Sequence, residues 1–522
     1  MVMPPLRQLH ATLAASAQRF PEKTALVVGE ERLTYRMLWD QSIRLANALK
    51  TQGVSRGDRV AIFLDNTWEC AVSLYGTLLA DAVFVIVNPQ TKLDKLAFIL
   101  NDSSASVLIT DSHLEGVYLP ALKDATTLKS VLVTGRLPDS KGAEVVRIES
   151  FDSALAGATL EQPRSRNISI DLCSLIYTSG STGEPKGVMH THQSMLFALQ
   201  SLVEYLRLDE PDRILCVLPL AFDYGLYQLL MSVHLGATLV LERSFTYPAQ
   251  VFKVMESEAV TVFPGVPTIY AMLLSLQEKQ PIQFSAVRRV TNTAAALPTS
   301  FNTRLKEIFP NAEIFRMYGL TECKRVSYLP PSEIETKPNS VGVAIPGTEV
   351  MVLNDSGTRV APGETGKLYV RGAHVMLGYW NRPDLSEHML KPGPMPGERM
   401  LCTHDMFTVD EDGYLYFVGR SDDIIKTRGE KVSPVEVENV MFGIEGVKEV
   451  AVVGIPDEVL GQAVRAYVVL QPGAQLTERQ IRAICMTRME NFMVPKEIVL
   501  TQELPKTVTG KISKKSLGEP KS

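Results

Sequence analysis

An α/β fold is predicted: a large N-terminal domain of layered helices and parallel sheet segments with a smaller β region, then a small α+β domain. Three observations predict it. Strand-like runs alternate with an amphipathic helix between residues 59 and 110, the signature of parallel β–α–β units. The chain has 522 residues, too many for one hydrophobic core. A polar stretch around Ser421-Asp422-Asp423, flanked by strand-like runs, precedes a C-terminal segment that reads as a compact unit of its own.

In chain order, Arg59 to Leu64 reads as a strand, Trp68 to Ala80 as a helix, and Val83 to Val87 and Ser106 to Thr110 as strands. Pro138 to Arg166 is polar and irregular and is expected to be a loop. Leu172 to Ile176, Arg213 to Leu218, Val260 to Phe263 and Arg288 to Asn292 are further strand candidates. Asp223 suits an N-cap for a helix starting near Leu226. Gly347 to Leu353 and Lys367 to Val370 form the smaller β region, Lys391 to Gly397 is a loop by composition, and Asp412-Gly413 is a hairpin turn. In the last unit, Pro434 to Phe442 and Thr477 to Met489 read as helices, and Glu449 to Gly454 and Arg465 to Leu470 as strands. The domains expected are therefore 1–420 and 421–522.

Composition excludes several classes. Charged residues are 21% and hydrophobic ones 45%, an ordinary soluble balance. The net charge of −5 gives no sign of nucleic-acid binding. No apolar run is long enough to span a bilayer. Six cysteines stand without CxxC spacing, as expected of reduced thiols in a cytoplasmic protein. Met1 to His10 carries no charged-then-apolar leader, and the end is not a peroxisomal address. His190 and His192 lack a third ligand nearby, so they are not expected to bind a metal.

The chemistry concentrates in Tyr177-Thr178-Ser179-Gly180-Ser181-Thr182-Gly183-Glu184-Pro185-Lys186-Gly187, directly after an apolar run. Glycines let backbone N–H groups close on an anion, hydroxyls add donors, and Lys186 adds a mobile charge. The pattern suits a phosphate tail but is not a Walker A loop. Two further motifs are Arg316-Met317-Tyr318-Gly319-Leu320-Thr321-Glu322 and Leu504-Pro505-Lys506-Thr507-Val508-Thr509-Gly510-Lys511.

These motifs resemble those of the AMP-forming adenylating enzymes: acyl-CoA synthetases, stand-alone adenylation enzymes and beetle luciferases. The resemblance runs from about Leu33 to about Lys514, and it implies roles residue by residue. Thr178, Ser179, Gly180, Ser181, Thr182 and Gly183, with Lys186, would hold the phosphates of ATP. Tyr318 and Gly319 would meet adenine, Thr321 the α-phosphate, and Glu322 Mg²⁺. Thr293 and Ala295 would line the acyl and adenine pockets. Asp405, in a Thr-His-Asp where Thr-Gly-Asp is commoner, and Arg420 would bind the ribose. Asp422 would be the hinge of a mobile C-terminal domain, Gly429 would line the thiol tunnel, and Lys511 would be the catalytic lysine.

Phe222-Asp223 stands where acyl- and aryl-CoA ligases usually carry a histidine. It is similar to amino-acid-activating enzymes, in which the aspartate binds the substrate ammonium, since a carboxylate in an apolar pocket calls for a cation. Lys324 and Arg325 are less usual, and either would suit a second substrate carboxylate, a phosphate or a solvated surface. The resemblance therefore implies activation of a carboxylic acid, an amino acid of α or β type. Transfer would follow to the phosphopantetheine thiol of a stand-alone carrier protein or to coenzyme A. A fatty or aryl acyl-CoA ligase is the alternative within this chemistry. A luciferase-like oxygenase and a non-catalytic nucleotide-binding regulator are those outside it.

Overall fold

The structure, a computed structural model, describes residues 6–139, 146–179, 185–294, 297–420, 423–427, 430–457, 461–489, 491, 493–506, 512–514 and 517. Within these residues the chain forms four sheets. Two large sheets carry the predicted parallel segments. The first runs through Thr24–Val28, Thr238–Leu241, Arg213–Cys216, Val262–Gly265, Arg289–Asn292 and Glu313–Tyr318, all parallel, with antiparallel strands at both edges. The second places Val83–Ile86, Arg59–Phe63, Ala105–Asp111, Ser130–Thr134 and Arg147–Ser150 parallel, next to the antiparallel hairpin of Leu172–Ser179 and Pro185–Thr191.

Strand alternation sorts the second sheet between two cores. Val60 and Ile62 face helices shared with the first sheet, whereas Ala61 and Phe63 face a separate cluster on the far side. Both faces are covered, so these strands read as continuous apolar runs. Helices Tyr35–Thr51, Trp68–Leu79, His192–Leu206 and Asp223–Leu235 contribute to the shared core. Two of them begin on side-chain caps: Thr34 accepts from the Met37 amide, and Thr191 with Ser194 forms a reciprocal pair.

The smaller β region is a sheet of Glu349–Leu353, Gly366–Arg371, Leu390–Pro392, Arg399–Val409 and Leu415–Arg420, with the Asp412-Gly413 hairpin turn as expected. Strands Ile425–Thr427, Glu430–Val432, Val447–Asp457, Gly461–Leu470 and Glu497–Leu500 build the fourth sheet, with helices Pro434–Phe442 and Glu478–Arg488 over a core of its own. Among the described residues no helix is long and apolar enough to cross a membrane.

Two expectations are corrected. Pro138 to Arg166 is not simply a loop: it holds the strand Arg147–Ser150 and the helix Phe151–Ala156. The strand is four residues long and sits at the sheet edge with no fully buried position, so it lacks an apolar pattern. Asp223 is not an N-cap but the first residue of its helix, which starts three residues early, after Phe222.

His10 and His192 lie where the first helix, Ala11–Arg19, meets the shared core. Their rings meet edge to face at 6.2 Å, and the Leu9 amide donates to His192 Nδ1 at 3.1 Å. Burial depresses both imidazoles from 6.5 to about 4. The unfolded chain therefore takes up these protons first. Their stabilisation is complete above about 6.5 and is lost as pH falls toward 4. Calorimetric Tm is expected to drop across that interval, and His10→Phe to flatten part of the drop. An unchanged slope in the variant would contradict this.

Candidate functional site

The C-terminal ends of the parallel strands in the first sheet converge on one edge, the usual location of ligands in open α/β sheets. Phe222 and Asp223 follow Arg213–Cys216, Thr293 follows Arg289–Asn292, and the segment 318–325 follows Glu313–Tyr318. The hairpin brings Thr178 and Lys186 up as direct cross-strand partners. Asp405 and Arg420 are likewise partners across adjacent strands of the smaller β region.

Specific contacts join these elements. The Tyr318 hydroxyl donates to Asp405 Oδ2, and its ring lies 5.0 Å from Phe407 and 6.1 Å from Phe417. Arg420 Nε approaches Asp405 Oδ1 at 3.7 Å. Burial raises the Asp405 pKa, opposed by the Tyr318 hydrogen bond and by Arg420. His404 has φ +58, the left-handed backbone that glycine adopts most readily, which accounts for the commoner Thr-Gly-Asp at this bend.

Among the described residues, one hydrogen bond holds the Glu322 side chain. Tyr379 Oη donates to its Oε1 at 2.6 Å, and the Met376 amide donates to its backbone carbonyl at 2.8 Å. Lys186 Nζ lies 5.6 Å from the centre of the same Tyr379 ring, so Tyr379 meets both Lys186 and Glu322. Among the described residues no three His, Cys, Asp or Glu side chains converge as a metal cage. A Mg²⁺ ion fits this arrangement, because a hard cation takes one or two carboxylates and draws its remaining ligands from phosphate and water.

Neither Tyr379 nor His190 was picked out by its sequence as part of this site. His190 is buried and neutral, its pKa pushed well down by burial, and its Nε2 lies 2.9 Å from the Thr321 carbonyl. It anchors the turn that presents Thr321 and Glu322 and has no role with His192, which faces the N-terminal helix. Gly319 permits that turn to close: a β-carbon there would meet the Lys324 carbonyl and stand 2.9 Å from Arg325 Cα. Gly319→Ala is accordingly expected to lower activity tenfold or more and to lower Tm, because the clash is with backbone. Parallel kinetics and calorimetry check this, and full activity would contradict it.

The reading of Asp223 changes. Its carboxylate was expected to need a substrate ammonium. It already has two internal cations: Lys324 Nζ at 3.0 Å from Oδ1 and Arg325 Nη1 at 3.3 Å from Oδ2. The argument for an ammonium partner therefore falls away. Arg325 is 3% exposed and Lys324 fully buried, so neither is a solvated surface charge. Phe222 is half-buried beside Tyr224, and Thr293 is buried. Gly180, Ser181, Thr182, Gly183, Ala295, Asp422, Gly429 and Lys511, like the side chain of Ser179, lie outside the described residues.

Comparison with known proteins gives a consistent result. Residues 13–380 match the AMP-binding enzyme family, and residues 436–511 match the AMP-binding enzyme C-terminal domain. The chain is 32% identical to a long-chain-fatty-acid–CoA ligase of Bacillus subtilis (strain 168), covering 99% of this chain and 95% of that one. It is 33% identical to a feruloyl-CoA synthase of Amycolatopsis sp, covering 95% and 96%. The crystal structure of the anthranilate CoA ligase AuaEII in complex with anthranoyl-AMP superposes with a TM-score of 0.90 at 30% identity, covering 99% and 97%.

Proposed function

This chain belongs to the AMP-binding enzyme family and is an AMP-forming ligase that uses ATP and Mg²⁺, and on that premise we propose that it joins an acyl or aryl carboxylic acid to coenzyme A. The observation that carries the choice of acid is the internal pairing of Asp223, which leaves no lone carboxylate for an amino group. The choice of coenzyme A rests on near full-length similarity to acid–CoA ligases. The six free, buried cysteines fit a cytoplasmic enzyme.

A carboxylate is a poor electrophile. In the first half-reaction its oxygen bonds to the α-phosphorus of ATP as the bond to pyrophosphate breaks. In the second, the thiol sulfur bonds to the acyl carbon, AMP leaves, and the thiol proton passes to solvent. The chain's task is to position groups and to offset charge. Tyr318 and its aromatic neighbours offer a face to adenine, while Asp405, fixed by Tyr318 and Arg420, accepts from the ribose hydroxyls. Thr178, Thr321 and Lys186 meet the phosphates with hydroxyls and one positive charge. Bound Mg²⁺ would supply Lewis-acid neutralisation of phosphate charge, held by the Glu322 carboxylate that Tyr379 orients. In the same proposal Lys511, Asp422 and Gly429 keep the roles the family resemblance implies: a second positive charge, a hinge between domains 1–420 and 421–522, and the wall of the thiol channel.

The test is a panel of fatty, aryl and amino acids incubated with ATP, Mg²⁺ and either coenzyme A or a phosphopantetheinylated carrier protein. Acyl-CoA and AMP are the expected products. Thioester formed only on the carrier, or only from amino acids, would reject this reading in favour of a carrier-loading enzyme.

A further inference from the structure

The buried group formed by Asp223, Lys324 and Arg325 is not used by the mechanism above, and its charges do not balance. Two cations share one carboxylate. Lys324 is fully buried, Arg325 3% exposed and Asp223 6% exposed. Lys324 reaches this position through a left-handed backbone, φ +67, a conformation that costs a lysine energy and persists only where the surroundings enforce it.

Among the described residues, Asp223 is the one carboxylate paired with these two cations. Tyr224 lies 5.0 Å from the Arg325 guanidinium and Tyr227 6.0 Å from Lys324 Nζ, each through its ring face. His190 and His374, packed close by, are neutral through burial. Several donors are also left over. Lys324 Nζ is near Asp223 but not aligned for a hydrogen bond, and Arg325 Nε has no acceptor among the described residues. Asn292 Nδ2, at the end of the adjacent strand, has none either. Two buried cations on one carboxylate, with buried donors left without acceptors, are costly, and an anion offsets that cost.

The group's location indicates which anion. Asp223 follows Phe222 at the edge where the acid must lie, and the two cations follow Glu322 by two and three residues. Resting on the acid-ligase reading, we infer that the activated acid is a dicarboxylate. Its reacting carboxylate faces the nucleotide. Its second carboxylate is received by Lys324 and Arg325, which Asp223 holds side by side. Arg325 offers a planar fork suited to a carboxylate, and Lys324 a point charge behind it. An ammonium at this place would face two cations and is disfavoured.

The test compares acids of matched length with and without the terminal carboxylate, such as adipate with hexanoate and 1,4-phenylenediacetate with 4-ethylphenylacetate. The readout is acid-dependent pyrophosphate release by the full chain. The dicarboxylate of a pair is expected to have the higher kcat/KM, by about tenfold or more. Arg325→Gln should shrink that ratio at least tenfold by raising KM for the dicarboxylate, and Arg325→Lys should restore part of it. Native enzyme that prefers the monocarboxylate of every pair overturns the inference while leaving the ligase reading intact. A rise in KM for ATP in Arg325→Gln, with the acid ratio unchanged, assigns the cations to the nucleotide and overturns it too. Turnover with no acid at all would instead reject the ligase reading.

Discussion

Glu322→Gln lowers acid-dependent pyrophosphate release by about a hundredfold or more, through kcat, with Tm within a few degrees of the parent. The carboxylate has one oxygen committed to Tyr379 at 2.6 Å and the other turned away from that bond. Glutamine keeps the shape and still accepts from the tyrosine, so the fold tolerates it. It removes the negative charge that would hold Mg²⁺ against the phosphates, where charge develops in the transition state. Raising Mg²⁺ is expected to recover part of the loss. Tyr379→Phe should show a smaller loss, since it frees the carboxylate without discharging it. Equal rates for Glu322→Gln and the parent at saturating ATP would show that this carboxylate does not act on the reaction.

Asp405→Asn acts on a different parameter. KM for ATP is expected to rise about tenfold to a hundredfold, from loss of charge-assisted hydrogen bonds worth roughly 1.5–3 kcal/mol. The carboxylate is positioned twice, by the Tyr318 hydroxyl and by Arg420 at 3.7 Å. Because burial raises its pKa, the native enzyme should also lose ATP affinity on acidification at a higher pH than an ordinary aspartate would dictate. The Asn variant should lack that pH dependence. Titration calorimetry with ATP across pH checks both points, and a variant with native affinity would contradict them.

Much of this site was legible in the sequence because each motif combines residue types that one chemistry demands. A hydroxyl- and glycine-rich turn after a strand, a Thr-Glu pair after another, and an aspartate followed by an arginine all point to a phosphate, a cation and a ribose. Their meeting was less legible. Tyr379 carries no local signal, and its bond joins a strand to the turn holding Glu322, 57 residues away in sequence. Asp223 and Arg325 are 102 residues apart, so their pairing depends on the fold bringing a helix start against a distant turn rather than on either motif. Two adjacent cations two and three residues after an acidic ligand were the available clue, but whether they were buried could not be read from neighbours of mixed polarity. His190 shows why spacing alone is a poor guide. Its spacing from His192 invites a metal, whereas the pleat sends one ring to Thr321 and the helix start turns the other to the N-terminal helix. Strand existence followed from apolar runs in the parallel sheets. It failed for Arg147–Ser150, where an edge strand has no buried face to mark it.

The most direct test is exchange of labelled pyrophosphate into ATP, run with and without a carboxylic acid and with no thiol present. The account predicts label in ATP only when an acid is supplied, and AMP, not ADP, once coenzyme A is added. ATP binding by calorimetry without exchange on any acid would contradict it.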